Sequence, residues 1–382
     1  MRLHLHGGFA EKGRTCIGVE SDGYRLLLDA GVKTSAQGRD FYPSIDKAEL
    51  RSTDAIIITH AHEDHLAALG WCIAGGFAGR IFATPESQRE MEGCLAAYAT
   101  PQHWALVRKA NIECLPLGAS ALHLGALKVS TGRSGHFVGG LWCLLDDGRK
   151  RFLYCGDIVP RSPILVMDPL PGCDAIAIDA SYGDDTVPAA ERATQIAEWI
   201  STRSSGCVLP TPLFGRSLDL LAHVPGVVAL APGMREALRS QIAENRWLVH
   251  GAAGRLAARV DAAVDWQEGQ ALPRAALICH DGMGMAGPSA AILAAARSTG
   301  HPALFTGHVP EGSPGDRMVA EGLGSWIRLP THPTLDEILA LVVGSGAATV
   351  IGHSCERESL ARLAQHMPSL RSDLATGDSI DL

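Results

Sequence analysis

The densest group of metal-ligating side chains lies at residues 60–65, which read His-Ala-His-Glu-Asp-His. Neutral imidazole and ionised carboxylate suit zinc and similar divalent ions. His60 and His62 are two residues apart, so on an extended segment both point the same way and can hold one ion. Asp64 and His65 point elsewhere and could hold a second. A solvated, His-rich turn is the alternative, but the spacing favours the chemistry of a metal-dependent hydrolase.

The apolar run directly before this segment predicts the element that positions it. Residues 55–58 are short, bounded and rich in β-branched side chains, which is typical of a buried strand. The ligand-rich segment would then be the turn at the strand's C-terminal end, leading into a helix from about Leu66. In open α/β layers, ligand sites collect at that edge of the sheet.

Two further carboxylates follow predicted strands and lie within two residues of a glycine. Asp29 follows the strand predicted at 24–28, and Asp157 follows the strand predicted at 151–154. A carboxylate in this position is often only a turn residue. We therefore leave two interpretations of Asp29 open: a turn residue, or a group that orients the metal ligands.

Three histidines and one more carboxylate occupy similar places later in the chain. His136 lies in a glycine-rich connection between two predicted strands, where it is either a loop residue or a ligand. Asp179 ends another predicted strand, His332 precedes a helix, and His353 follows the strand predicted at 348–351. One such histidine would more often be structural. Together with residues 60–65 they favour a functional site.

The composition is that of a globular protein and narrows the function only a little. The 382 residues carry a formal net charge of −8, so a nucleic-acid partner would need a local basic patch. The ten cysteines include no C-x-x-C pair, which excludes a thiolate zinc site of that type and predicts a reducing compartment. Since we find neither a signal-peptide pattern nor an apolar run of membrane-spanning length, we expect a cytoplasmic protein with no membrane partner.

The order of predicted elements changes near residue 184. Before it, many short strands are joined with few helices, which indicates a sheet-rich layered fold. After it, strands alternate with helices such as the amphipathic one at 189–203, which predicts a parallel sheet with covering helices. Pro314-Gly315-Asp316 within this part predicts a turn.

The ordered residues above resemble the metallo-β-lactamase fold, and the later set resembles its β-CASP branch of nucleic-acid nucleases. The HAHEDH string looks like bacterial ribonuclease J, and the GHFVGG and YCGD strings look like the cleavage-and-polyadenylation endonucleases. The resemblance implies an α/β fold, an αββα sandwich with an inserted β-CASP domain of parallel sheet and covering helices. It implies three segments: the first part of the metallo-β-lactamase domain at 1–182, the insert at 183–329 and the return segment at 330–382.

The resemblance also implies a role for each site residue. One zinc ion would be bound by His60, His62 and His136, the other by Asp64, His65 and His353, and Asp157 would bridge them, with Mn²⁺ as the alternative metal. The catalytic residues would be Asp64, the general acid His332 and its partner Asp179. Arg216, in a shortened form of the family's F-x-x-G-R element, would bind substrate, and Asp29 would orient the ligands.

The predicted function is therefore that of a zinc-dependent nuclease that hydrolyses phosphodiester bonds in RNA by a two-metal-activated water and a histidine acid. His353 favours RNA, because the DNA-processing members of the branch usually have an apolar residue there. The alternatives are a DNA nuclease and a hydrolase of a small thioester, lactone or cyclic phosphodiester. Endonuclease and 5′ exonuclease activity, and assembly as a homo-oligomer, are left open. The short insert and the net acidity depart from the branch and bear on substrate length.

Overall fold

The computed structural model describes residues 1–309 and 311–382, so Pro310 of the predicted 183–329 insert lies outside the described residues. The strands are, in chain order, β1 (Arg2–Gly7), β2 (Cys16–Ser21), β3 (Tyr24–Leu28), β4 (Ala55–Ile57), β5 (Arg80–Ala83), β6 (Ile112–Cys114), β7 (Gly118–Leu124), β8 (Leu127–Arg133), β9 (Leu141–Asp146), β10 (Arg151–Tyr154), β11 (Ala175–Asp179), β12 (Cys207–Pro210), β13 (Val228–Leu230), β14 (Val264–Asp265), β15 (Ala276–Cys279), β16 (Ala303–Phe305), β17 (Gly324–Trp326), β18 (Thr349–His353) and β19 (Ser379–Asp381). The helices are α1 (Lys47–Arg51), α2 (Glu63–Leu66), α3 (Leu69–Ala74), α4 (Pro85–Tyr98), α5 (Pro101–Val107), α6 (Ala189–Ser201), α7 (Arg216–His223), α8 (Met234–Ala243), α9 (Ala252–Ala262), α10 (Gly287–Thr299), α11 (Pro314–Ala320), α12 (Leu335–Ser345) and α13 (Arg357–Ala364), with 3-10 turns at Gly38–Phe41 and Asn245–Trp247.

Two sheets form the inner layers of a sandwich. Their strand orders are β19-β1-β2-β3-β4-β5-β6 and β18-β11-β10-β9-β8-β7. Side chains alternate across each strand, so Leu26 and Leu28 of β3 enter the core shared by both sheets, whereas Leu27 packs on the other face. Phe152 and Tyr154 of β10 enter the same shared core from the opposite sheet. One apolar core therefore lies between the two sheets.

Helices cover the outer face of each of these sheets. Leu27 packs in a cluster with Leu66 of α2 and Leu95 of α4 on the first sheet. On the second sheet, Leu153 of β10 packs in a cluster with Ile338 of α12 and with side chains of α13. The order helix, sheet, sheet, helix confirms the predicted αββα fold. None of the described helices is both long and apolar enough to cross a membrane.

A third sheet draws all its strands from residues 207–326. Its order is β14-β13-β15-β12-β16-β17, and every described pairing in it is parallel. Helices α6 to α11 lie between or beside these strands in the sequence, as the strand–helix alternation predicts.

Two local predictions are wrong. Residues 314–316 begin helix α11 and do not form an isolated turn, because the Ser313 hydroxyl accepts a hydrogen bond from the Asp316 amide at 3.1 Å and Pro314 occupies the first helical turn. The helix expected from about Leu66 begins earlier, at Glu63, so that His65 lies within helix α2.

Candidate metal centre

The predicted site residues converge at one edge of the sandwich. Asp29 follows β3, His60 lies just beyond β4, and Asp157 follows β10. Asp179 ends β11 and pairs in register with His353, the last residue of β18. Because β3 runs parallel to β4, and β10, β11 and β18 run parallel to one another, their C-terminal ends meet at common edges of the two facing sheets.

Three imidazoles form the first group of converging ligand atoms. His62 Nδ1 lies 3.2 Å from His60 Nε2 and 3.2 Å from His136 Nε2. The His136 Nδ1–H donates to the Thr331 carbonyl at 2.7 Å, which leaves the lone pair of Nε2 facing the group. Asp157 Oδ2 lies 3.7 Å from the Nε2 atoms of both His60 and His136. These four residues could hold one metal ion.

A second group shares the same carboxylate. His65 Nε2 lies 3.2 Å from Asp157 Oδ1 and 3.8 Å from Asp64 Oδ2. Asp64, His65 and Asp157 therefore form a second set of potential ligands. A Cβ on Gly31 would lie 1.6 Å from the Asp64 carbonyl oxygen, so only glycine allows helix α2 to approach β3 this closely.

His353 is the predicted ligand that stands slightly apart. It is fully buried, and its ring centroid is 6.4 Å from that of His65. It does not belong to the close groups of ligand atoms found in the described part of the chain. Its Nδ1 contacts the Ser354 hydroxyl at 3.1 Å, and its buried Nε2 has no hydrogen-bond partner among the described residues. Nε2 of His353 is therefore available as a ligand, although it lies outside the close groups of ligand atoms.

Asp29 is fully buried beneath the second group and accepts four hydrogen bonds. Its Oδ2 accepts from His65 Nδ1 at 2.7 Å, from the Tyr154 hydroxyl at 2.6 Å and from the Thr59 hydroxyl at 2.8 Å. Its Oδ1 accepts from the Thr59 amide at 2.7 Å. Because Nδ1 of His65 carries the proton, Nε2 presents its lone pair to the second group. Of the two interpretations left open, the contacts favour orientation of a ligand.

His332 and Asp179 form a pair beside the first group. His332 Nδ1 lies 2.9 Å from Asp179 Oδ2, and the His332 and His136 rings are 5.0 Å apart. The Asp179 carboxylate is fully buried and also accepts hydrogen bonds from the Ile158 amide and from Ser181. A fixed carboxylate on Nδ1 leaves Nε2 of His332 as the nitrogen that can face a substrate.

Arg216 approaches the first group of ligands from the first turn of helix α7. The preceding Gly215 has φ +72°, and its amide donates to the Gln241 side chain at 2.9 Å, which fixes the start of the helix. The Arg216 guanidinium donates to the Thr331 hydroxyl at 3.4 Å, while its Nε is buried without a partner among the residues described. The positive charge of Arg216 acts to lower the pKa of both His62 and His332, but its effect is smaller than those of burial and of the charges nearer to each ring.

The buried polar atoms of this cluster fit a divalent metal site. Nε2 of His65, Nε2 of His353 and Oδ1 of Asp157 are all buried, and within the described chain none of them has a hydrogen-bond partner. Leaving such groups unsatisfied costs about 1–3 kcal/mol each, more for charged ones. Several converging lone pairs of nitrogen and carboxylate oxygen are the donors that zinc prefers. The residues present therefore suit the metal that the fold implies.

The electrostatics divide the histidines: the pKa is lowered at the three histidines of the first group and raised at His332 and at His65, where Asp157, Asp64 and Asp29 outweigh burial. Burial, together with neighbouring imidazoles, holds the pKa of His60 and His62 well below the usual value, and burial lowers the pKa of His136 to about 4. Neutral imidazole is the form that binds a metal. Burial also acts to lower the pKa of His332, but Asp179 and Asp157 outweigh it and raise that pKa. The first group thus favours metal binding, and His332 favours holding a proton.

Comparison with known proteins agrees with this arrangement. Residues 24–205 match the family model described as the β-lactamase superfamily domain. The matched residues make up just under half of the chain. The sequence-based recognition of the metallo-β-lactamase fold is thereby confirmed, and the domain holds most of the candidate ligands, whereas His332 and His353 lie beyond the matched residues.

Three relatives each match more than half of this chain. Transcription termination factor FttA of Methanococcus maripaludis is 25% identical over 250 residues, which cover 58% of this chain and 39% of that protein. Cleavage and polyadenylation specificity factor 73 of Drosophila melanogaster is 25% identical, covering 60% and 36%, and Endoribonuclease YSH1 of Yarrowia lipolytica is 26% identical, covering 60% and 30%. The matched region thus spans only about a third of the length of these relatives.

A solved structure extends the likeness to the whole chain. The crystal structure of a protein of unknown function from Enterococcus faecalis V583 has a TM-score of 0.62 and 11% identity, and the match covers 100% of this chain and 99% of that one. At this identity the likeness concerns the fold alone. It includes the third sheet, which the β-lactamase superfamily match does not reach.

Two residues of the site escape sequence reasoning. Tyr154 holds Asp29 from the opposite sheet, and Tyr182 donates from its hydroxyl to the Leu329 carbonyl at 3.0 Å and accepts from the Thr331 amide at 3.0 Å. The alternation of β10 could have revealed Tyr154, because it shares the inward face with Phe152 at the strand end nearest the site. No sequence pattern links Tyr182 to residues so far along the chain.

Proposed function

We propose that the protein is a zinc-dependent nuclease that hydrolyses phosphodiester bonds in RNA. The observation that carries the proposal is the His332–Asp179 pair, 2.9 Å apart, beside two groups of metal ligands that share Asp157. Metal ligands alone would serve many hydrolases. A histidine held by a buried carboxylate adds a proton donor, which the cleavage of a poor leaving group requires.

Each residue has a distinct part in the proposed reaction. His60, His62 and His136 would hold one zinc ion, and Asp64, His65 and His353 the other, with Asp157 common to both; Mn²⁺ is the alternative metal. Bound ions of this kind supply an activated water and offset charge on the phosphoryl oxygens.

The proton is delivered by the chain itself. Asp179 orients the His332 ring through Nδ1 and stabilises its protonated form. The Nε2 proton of His332 would pass to the leaving oxygen as the P–O bond breaks. Asp64, next to the reacting water in this proposal, would help to orient it, and the half-buried Arg216 would pair with a phosphate oxygen.

RNA is the favoured substrate for two reasons. One relative is named an endoribonuclease and another a cleavage and polyadenylation specificity factor, although each match covers only about a third of those proteins. Position 353 is histidine, as the resemblance to the RNA-cleaving members implies. We also propose the division into residues 1–182, 183–329 and 330–382, in which the middle segment contains the third sheet and Arg216.

The test compares two substrates that differ in their leaving groups. A 5′-labelled RNA releases a poor leaving group that needs a proton, whereas bis-p-nitrophenyl phosphate releases a stable phenolate. We expect His332→Ala to lower kcat on RNA by about 10²- to 10⁴-fold and to lower it much less on the phenyl ester. His366→Ala, an exposed histidine beyond helix α13, is the matched control and should behave as the parent protein.

Three outcomes would contradict the proposal. Full RNA cleavage by His332→Ala would show that His332 is not the acid, and RNA cleavage that persists after exhaustive chelation would show that no metal is required. Efficient hydrolysis of a thioester or lactone with no cleavage of RNA would assign the site to a small substrate. Single-stranded DNA of the same sequence distinguishes a DNA nuclease from a ribonuclease.

A further inference from the structure

A row of stacked side chains leads from the proposed acid to the protein surface. The Tyr182 ring meets the His332 ring edge to face, with centroids 5.0 Å apart. The Arg328 guanidinium lies over two rings, 4.4 Å from the Tyr182 centroid and 5.3 Å from the Trp326 centroid. Trp326, on edge strand β17, is 45% exposed. We call these residues, His332, Tyr182, Arg328 and Trp326, the aromatic row.

The outer end of the row is held rigidly although it is exposed. The Trp326 indole N–H donates to the Gly307 carbonyl at 2.7 Å, which fixes the ring orientation. The Arg328 guanidinium donates to Asp185 at 2.6 Å. A large aromatic ring that is fixed and yet nearly half exposed offers a preformed surface for stacking at little cost in conformational entropy.

The charges around the row favour an anionic partner. Asp185 pairs with both Arg328 and Arg192, at 2.6 and 2.8 Å, so two cations share one carboxylate. Arg216 adds a further positive charge nearer the metal centre, beside Thr331. Around Arg328 the two guanidinium groups outnumber the one carboxylate that they share, in a chain with a net charge of −8. Aromatic faces interleaved with arginine are the features that bind single-stranded nucleic acid.

We propose that Trp326 stacks on a nucleobase of single-stranded RNA whose backbone runs along the aromatic row to the metal centre. This inference rests on the proposed function and deepens it, because it assigns the strand form of the substrate and a base-binding position outside the reacting bond. A paired base within a duplex does not expose its face, so Trp326 can stack only on an unpaired base of the RNA. Stacking tolerates every base, so the position favours no particular sequence.

The experiment measures binding of oligoribonucleotides of about 12 nucleotides, within the site sizes usual for single strands. Each carries phosphorothioate linkages, which slow hydrolysis, and one abasic position that is moved along the strand. We expect one abasic position to lower the affinity of the parent protein by about 5- to 100-fold, as measured by fluorescence anisotropy. Trp326→Ala should lower affinity for the intact strand by a similar factor and lose the penalty at that position alone.

Three comparisons separate stacking from a loss of structure or of charge. Trp326→Phe should restore most of the affinity. Trp199→Ala, which removes another tryptophan that stacks on an arginine (Arg203, 4.6 Å), should bind as the parent does. Trp326→Ala should leave the salt dependence of binding unchanged, since no cation is removed, whereas Arg328→Gln should lower the slope by about one unit.

The outcomes distinguish this inference from the proposed function. If the parent protein binds and cleaves RNA but Trp326→Ala keeps the parent's pattern of abasic penalties, the stacking position is refuted and the nuclease proposal stands. If the parent protein neither binds nor cleaves RNA, both fail. Equal affinity of the parent protein for single strands and for the corresponding duplex also refutes the inference.

Discussion

Replacing Asp29 by asparagine should damage the metal centre through the tautomer of one histidine. The Thr59 amide is a fixed donor 2.7 Å from Oδ1, so the side-chain oxygen of asparagine must stay at that position. The amide nitrogen then takes the place of Oδ2, which accepts from His65, Tyr154 and Thr59. The two hydroxyl groups can rotate and accept a hydrogen bond. The ring of His65 cannot, unless the proton leaves Nδ1.

The metal centre is weakened because the His65 ring, unlike the two hydroxyl groups, must change its tautomer. With a proton moved to Nε2, His65 would direct an N–H, and no longer a lone pair, toward Asp157 Oδ1 at 3.2 Å. We expect the affinity for the second metal equivalent to fall about 10- to 100-fold, as for other losses of a group that orients a ligand. The free energy of unfolding of the metal-free protein should fall by only about 1–3 kcal/mol, since one buried donor is left poorly matched.

Metal competition against a chromophoric chelator, with zinc content determined per chain, measures the affinity. Asp54→Asn is the matched control, because Asp54 also accepts a backbone hydrogen bond, from the Arg25 amide at 2.8 Å, but lies at the opposite end of β4 from the site. Two zinc equivalents bound to Asp29→Asn with unchanged affinity would refute the tautomer argument. Loss of both equivalents together with general unfolding would show that Asp29 acts mainly on the fold.

Two further predictions concern Asp219 of helix α7 and Gly307, which lies against Arg216. Burial raises the pKa of Asp219 to about 7, so the stability that this protonated acid contributes is lost as the pH rises from about 4 to 7. Asp219→Asn should therefore equal the parent protein in thermal stability below pH 4 and exceed it at pH 8. An identical pH profile would contradict the burial argument. A Cβ on Gly307 would lie 1.8 Å from Nη1 of Arg216, so Gly307→Ala should displace the guanidinium and lower kcat/KM on RNA by about 10-fold. Gly344→Ala, where a Cβ meets open space, should leave kcat/KM unchanged.

The sequence allows the layered fold to be predicted because its apolar pattern matches the structure closely. Residues 151–154 alternate between the two faces of β10, and the strand has the predicted bounds. Residues that are common both in turns and at the start of helices are less predictable. Pro314 and Gly315 are typical of turns, yet after the capping Ser313 they begin a helix, and Gly315 lies close to Phe305 of the third sheet.

The candidate site shows the same division between local and distant information. The segment from His60 to His65 could be recognised at once, since its ligands are close in the sequence. The hydrogen bond of Tyr154 to Asp29 joins residues 125 positions apart on different sheets. Pairings of this kind depend on how the sheets face each other, which the sequence pattern does not specify. Prediction therefore reached the ligand types more readily than the groups that orient them.

The order of the chain brings His332 to the site only after the third sheet. The sandwich supplies the close ligand groups before residue 180, but His332 arrives only after the chain has passed through the third sheet. The segment that carries it is fixed from both sides: Tyr182 holds the Thr331 amide, and the Thr331 carbonyl accepts from His136. These two contacts tie the segment around His332 to the sandwich, although the chain reaches it through the third sheet. Under the proposed function, the short segment from Trp326 to His332 therefore joins the surface that would bind a strand to the proton donor.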